Sequence, residues 1–151
     1  MNLNRAAALL LVLITGCANQ SGARMGIFSA SAPVLAVLDD DLLQGQAVGY
    51  LDRTGTIDIR SATNAKFRCV GSFRYTGANS GTAMLRCSDG SEGALSFNAL
   101  DSLSGYGYGN TSRGPASFTF GLTPEQAARY MTLPNGKRLI KNAKEVSPPD
   151  A

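Results

Sequence analysis

Cys69 and Cys87 are the residues whose type and spacing most clearly support chemistry, and that chemistry is a disulfide. Apolar and polar residues alternate on the way into each cysteine. A hairpin turn centred on Ala78 sets Tyr75 opposite Gly81, Phe73 opposite Ala83, Gly71 opposite Leu85 and Cys69 opposite Cys87. Even spacing puts all four pairs on one sheet face, and directly opposed cysteines lie close enough to bond. The competing reading is a metal-binding pair, but two thiolates in a chain without histidine make a poor zinc site.

The missing histidine also removes the usual general base and the common nucleophilic triads. A Ser–Lys arrangement stays open, although no motif isolates one serine. Asp39, Asp40 and Asp41 would need further oxygen ligands at defined offsets to hold calcium. None follow, so the three read as a solvated acidic turn. Gly105-x-Gly107-x-Gly109 has the look of a phosphate loop, but it lacks the trailing Gly-Lys-Ser/Thr and opens no helix. It reads better as a glycine face across which an aromatic or a neighbouring strand packs closely. Tyr106 and Tyr108 then project from the opposite face, where they either pack or offer a stacking surface to a sugar or protein partner. The expectation is no catalytic residue, no metal and no cofactor.

The amino terminus carries an address. Asn2, Asn4 and Arg5 open a polar, positive segment, followed by an apolar run over residues 6–14. Crossing a bilayer takes about 20 apolar residues, so this run reads as the core of an export signal. It exits through Ile14-Thr15-Gly16-Cys17, which resembles the lipobox of bacterial lipoproteins: an aliphatic residue, two small residues, then cysteine. The resemblance implies cleavage after Gly16, diacylglycerol on the Cys17 sulfur and acylation of the new amino terminus. Two or three acyl chains on one residue give stable anchoring, where one chain holds only marginally. Ala18, in place of aspartate, resembles the outer-membrane sorting pattern of enteric-type bacteria. Export in turn favours the Cys69–Cys87 disulfide.

The elements that position these residues are strands. Hydrophobic residues make up 44% of the 151-residue chain, enough for one core, and 17 glycines favour strands and turns. The formal charge of +3 becomes +2 when Arg5 leaves with the signal, too little to argue for nucleic acid. Residues 1–16 are the signal. Residues 17–42 read as the lipidated start and a flexible tether, in which the apolar patch 34–38 is either tether or a first strand. Residues 43–122 form the β-domain, with period-two runs near 46–51, 56–60, 67–75, 82–87, 95–99, 104–110 and 118–121. Ser88-Asp89-Gly90 marks a tight turn. The fold class is therefore all-β: a small antiparallel meander of about seven strands, closed as a barrel or a sandwich. Residues 123–151 hold one short C-terminal helix and a basic, Pro-rich tail. Thr123 is the N-cap, Pro124 the first helical residue and Gln126 the partner in a capping box, with an end expected near Met131.

Cys87-Ser88-Asp89-Gly90, the Gly-x-Gly-x-Gly run and Phe118-Thr119-Phe120-Gly121 together resemble a Gly-rich β-domain of small bacterial envelope lipoproteins with no assigned role. The resemblance spans about residues 45–122, supports the fold and transfers no active site. A second likeness, to periplasmic lysozyme-inhibitor lipoproteins, covers size, barrel and disulfide. The serine-rich inhibitory signature is not evident, and a slightly basic domain is a poor electrostatic match for basic lysozymes.

These readings converge on a non-enzymatic envelope lipoprotein, anchored to the membrane by its lipid and facing the periplasm from the outer membrane. Its expected role is an accessory or structural module binding another envelope protein or component. The alternative is a small-ligand or lipid carrier with an apolar barrel pocket. A core filled by Phe67, Phe73, Leu85, Phe97, Phe118 and Phe120 would leave no room for such cargo. A third reading is an enzyme using Ser, Tyr or Asp chemistry. Lys137, Arg138, Lys141 and Lys144 in the tail, partly offset by Glu145, read by default as a solvated helix end rather than a contact for anionic lipid. The sequence carries no signal for oligomeric state.

Overall fold

The computed structural model describes residues 24–25 and 29–133. The signal, Cys17 and the basic tail fall outside the described residues. The chain forms β1 (Arg24–Met25), β2 (Ser29–Leu38), β3 (Asp41–Tyr50), β4 (Thr54–Ser61), β5 (Arg68–Tyr75), β6 (Ser80–Cys87), β7 (Glu92–Ala99), β8 (Gly105–Thr111) and β9 (Gly114–Phe120), then a short helix α1 (Pro124–Ala127). Each strand pairs antiparallel with the next. Strand β2 also pairs with β9, from Val34 opposite Phe120 to Leu38 opposite Ala116. That pairing closes β2–β9 into an eight-stranded barrel. Closure removes the sheet edges that an open meander would expose.

The alternation read from sequence is the alternation of burial. Strand β6 switches between buried and exposed at every residue, and β4 and β7 do so at all but one terminal residue each, with apolar side chains inward. The outward face carries charge: Arg68 pairs with Asp58, and Arg86 Nε donates to Glu92 Oε1 at 2.7 Å. Apolar inside and charged outside is the inverse of a barrel that spans a membrane.

Turns follow their residues. Asp39 adopts φ 55° between β2 and β3, and Gly90 adopts φ 85° between β6 and β7, left-handed conformations that Asp tolerates and Gly takes freely. The Asp39–Asp41 cluster is therefore a hairpin turn, with Asp41 accepting a 2.8 Å bond from Ser61 Oγ.

Two boundaries differ from expectation. Strands β2 and β3 occupy part of the segment read as tether, so the β-domain starts at Ser29 rather than at residue 43. Strand β2 hid its period because both of its faces are covered. Val34, Ala36 and Leu38 face the barrel core, while Val37 packs outward with Leu42, Ala127 and Met131. The helix has the anticipated capping box, Gln126 N donating to Thr123 Oγ1 at 3.3 Å and Thr123 N to Gln126 Oε1 at 3.1 Å. It stops at Ala127, short of Met131, and continues as turns. Met131 is nonetheless buried against the barrel wall.

Candidate functional site: an apolar cavity inside the barrel

The inward face of the barrel alternates large rings with residues that have little or no side chain. Gly55 stands opposite Phe73, Gly81 opposite Phe97, Gly107 opposite Phe118 and Gly105 opposite Phe120. In all four pairs the ring lies over the glycine: a Cβ placed there would meet a ring carbon at 2.3–2.4 Å. The rings thus fold down against the wall instead of reaching across the axis. Ala32, Ala36, Ala47 and Ala83 occupy other inward positions.

The result is a cavity of about 360 Å³ along the barrel axis, walled by Val34, Ile57, Ile59, Leu85, Leu95 and the phenylalanines. Eight strands leave an interior just wide enough to be filled by side chains or to hold one small ligand. Here small residues leave it open. Of the six residues expected to fill the core, Phe73, Leu85, Phe97, Phe118 and Phe120 line the space. Phe67 does not.

The two ends of the barrel differ. At one end Phe67 is buried with Leu43, Ala116 and the Cys69–Cys87 disulfide. The Arg113 guanidinium sits 4.5 Å from the Phe67 ring centroid and closes that end from outside. At the other end the lining rises to Tyr50, Leu51, Arg53, Ser102 and Leu103, the β3–β4 and β7–β8 connections. This end is the mouth. Phe97 meets Phe73, Tyr75 and Phe120 edge to face with centroids 5.9, 5.0 and 6.0 Å away, a favourable aromatic geometry just inside it. Arg53 lies 5.0 Å over the Tyr75 ring and donates to the carbonyls of Gly77 and Ala78, tying the β3–β4 turn to the β5–β6 loop. Burial pushes the Tyr75 phenol above its ordinary value, so its hydroxyl stays protonated at physiological pH and Arg53 supplies the charge at the mouth.

Chemically the cavity can bind but has little with which to react. Its polar groups, chiefly Arg53, Thr54, Tyr75 and Ser102, gather at the mouth. Among the described residues no three His, Cys, Asp or Glu side chains come together as a metal site.

Cys69 and Cys87 are directly opposed and bonded, with 3.9 Å between their Cα atoms, and every pair of the expected β5–β6 register is present. Tyr106 and Tyr108 lie on the outer wall, away from the cavity. Tyr106 stacks on Tyr130 at 4.6 Å, and Tyr108 Oη donates to the Tyr130 carbonyl at 2.6 Å. They bind the C-terminal segment to the barrel. Sequence reasoning did not find Arg53, Tyr50 or Leu51 at the mouth. The cavity itself was foreshadowed by the many small residues at inward positions, a signal that period-two reading treats only as apolar or neutral.

No family profile, curated protein or solved structure matches the chain.

Proposed function

We propose that the chain is a lipid-anchored, non-enzymatic envelope protein whose barrel holds one apolar ligand of the size of an acyl chain. The observation that carries this is the open, apolar cavity of about 360 Å³. Pockets of about 300–1,000 Å³ with apolar walls and few polar groups are those that bury small ligands. A ligand there replaces water against apolar wall, a gain of about 25 cal/mol per Å² buried. Polar groups confined to the mouth suit a molecule with an apolar tail inside and a polar head at the rim. The anchor follows from the lipobox at Cys17. Binding of an envelope protein, the other role consistent with an anchored β-domain, draws on the outer surface and leaves the cavity without a use.

Native mass spectrometry of residues 18–151, exported behind an ordinary cleavable secretory signal and collected from the export compartment without detergent, tests the reading. The expected result is a population heavier by the mass of one fatty acid or similar amphiphile, shed on mild activation. A chain that leaves the cell empty and takes up no fluorescent fatty acid sinks it.

A further inference from the structure

One charge reaches the cavity. Among the described residues that line it, Arg53 is the single one with an ionised side chain, and the rest are apolar or neutral. The ion pairs of the described residues join Arg68 to Asp58, Arg86 to Glu92 and Arg113 to Asp89, and Arg53 belongs to none of them. Neutral groups hold its guanidinium instead. Nη2 donates to the carbonyls of Gly77 and Ala78, and the Tyr75 ring lies 5.0 Å away beneath the group. These contacts fix the guanidinium in place and leave its charge without a counter-ion. A guanidinium carries five N–H donors in a fixed fork, and those on Nε and Nη1 reach no acceptor among the described residues.

The backbone under Arg53 suits a different residue. Leu51, Asp52 and Arg53 connect β3 to β4, and Arg53 N donates to the Tyr50 carbonyl at 3.1 Å. The last residue of such a hairpin loop takes left-handed backbone, and glycine ordinarily fills it. Arg53 takes it at φ 66°. The other described non-glycine residue at positive φ is Asp39, of a type that tolerates the conformation. An arginine kept against its backbone preference, at the mouth of a cavity, points to a task for its side chain. Two carboxylates stand in the loops of this end, and each is taken up by its own turn. Asp52 accepts from Thr54 N and Oγ1 at 3.0 and 2.7 Å, and Asp101 from Leu103 N and Ser104 Oγ at 2.8 and 2.6 Å. Neither lines the cavity.

We propose that Arg53 selects the ligand by its head: the cavity takes an anionic amphiphile, its acyl chain inside and its carboxylate or phosphate at the mouth against the Arg53 guanidinium. This rests on the ligand reading above and adds the chemical class of the head. A guanidinium meets either oxyanion through charge-assisted bonds in a matching fork, a geometry that a neutral alcohol cannot return. The hydroxyls of Thr54, Tyr75 and Ser102, which also belong to the lining, supply donors for the remaining oxygens. A cationic head would meet the Arg53 charge at short range and be repelled.

The test uses residues 18–151, the mature polypeptide short only of its lipidated residue, stripped of lipid on a hydrophobic resin. Calorimetry below micelle-forming concentrations compares probes that share one chain length: dodecanoate, dodecyl phosphate, dodecanol and dodecylamine. At least one anion should bind about tenfold more tightly than the alcohol, a factor within reach of one hydrogen bond to a charged group. Which anion is preferred tells a carboxylate head from a phosphate head. The amine should bind most weakly. Arg53→Asn, a residue that tolerates the left-handed backbone, should reduce the anion's affinity to that of the alcohol. Binding of the alcohol itself should not change, which reports an intact cavity. Arg53→Lys should restore part of the preference, and added salt should weaken anion binding only where the cation is present. Equal binding of anion and alcohol, or a preference for the amine, overturns the assignment and leaves the ligand reading standing. A parallel loss of both in Arg53→Asn also overturns it, because Arg53 would then only hold the rim in shape. If no probe binds, the head and the ligand readings fall together.

Discussion

Phe118 lies across Gly107 on the neighbouring strand, so closely that a Cβ at residue 107 would stand 2.4 Å from Cε1 of the ring and 2.5 Å from the Ser96 carbonyl oxygen. The relationship explains why this barrel is hollow. A ring that rests on a glycine turns its bulk along the wall, and the volume it would have filled stays open. Gly105 with Phe120, Gly81 with Phe97 and Gly55 with Phe73 repeat the arrangement round the barrel.

Gly107→Ala therefore overpacks the wall. The expected loss is about 1–3 kcal/mol, the usual cost of forcing extra bulk into a packed site, read as a lowered midpoint of urea unfolding at unchanged slope. In a Phe118→Leu background the same substitution should cost less, because the ring contact is gone. It should still cost something, because the Ser96 carbonyl remains. Equal costs in the two backgrounds would show that ring and glycine are not coupled.

The disulfide spans a sequence separation of 18 between paired strands. Replacing both cysteines by alanine frees the unfolded chain of that cross-link, an expected loss of about 3 kcal/mol by loop-closure arguments. The comparison of interest is fatty-acid binding at a temperature where both proteins are folded. Cys69 and Cys87 belong to the plug at the closed end and do not line the cavity, so affinity should be unchanged while denaturant resistance falls.

How far the sequence reaches depends on which surfaces a segment meets. Strands β4 to β7 meet core on one side and water on the other, so their period of two was plain, and the β5–β6 register followed from counting back to Cys69 and Cys87. Strand β2 meets the core on one side and the C-terminal segment on the other, and its residues are apolar or small on both faces. Nothing in its alternation distinguishes it from an apolar linker. Barrel closure was equally illegible, because β2–β9 pairing joins residues some eighty apart and leaves no local mark. The cavity depends on where ring planes lie. Residue type alone names six core side chains that would fill a barrel, and only the Gly–Phe register shows that five of them line one instead.

Stability should fall at both extremes of pH. Asp58 is held below the ordinary carboxylate value of 3.8 by the hydrogen bond from Arg68. Asp52, Asp89 and Asp101 are lowered by side-chain bonds from Thr54, Ser91 and Ser104 in their turns. A carboxylate with a depressed folded pKa stabilises above its unfolded value, and that contribution is lost as pH falls through the folded value. The acid loss should thus begin only below about pH 4. Tyr75 is raised above 10.0 by burial, so its contribution is complete below that value and is lost as pH rises through the folded one. Unfolding free energy measured against pH should be flat between these limits. Asp58→Asn should flatten the acid side, and Tyr75→Phe the alkaline side. A midpoint of decline near neutrality would contradict the assignment.

Filling the cavity separates binding from folding. Ala83 is 1% exposed, lines the cavity and sits between Phe73 and Leu95 on the neighbouring strands. A larger side chain there has open volume to enter, unlike one at Gly107, where the wall is already occupied. Ala83→Leu adds three carbons inside a space of about 360 Å³. Each buried methylene-sized group is worth about 0.8 kcal/mol when it finds apolar contact without strain. Thermal stability of the empty protein should therefore hold or rise. Ligand affinity should fall, because the added carbons take volume that an acyl chain would use, and the longer chains of a fatty-acid series should suffer most. Calorimetry across that series, with Leu51→Ser as a rim control that leaves the interior unchanged, reads both effects. Destabilisation together with unaltered binding would mean that the ligand sits elsewhere and that the space inside the barrel is only a packing defect.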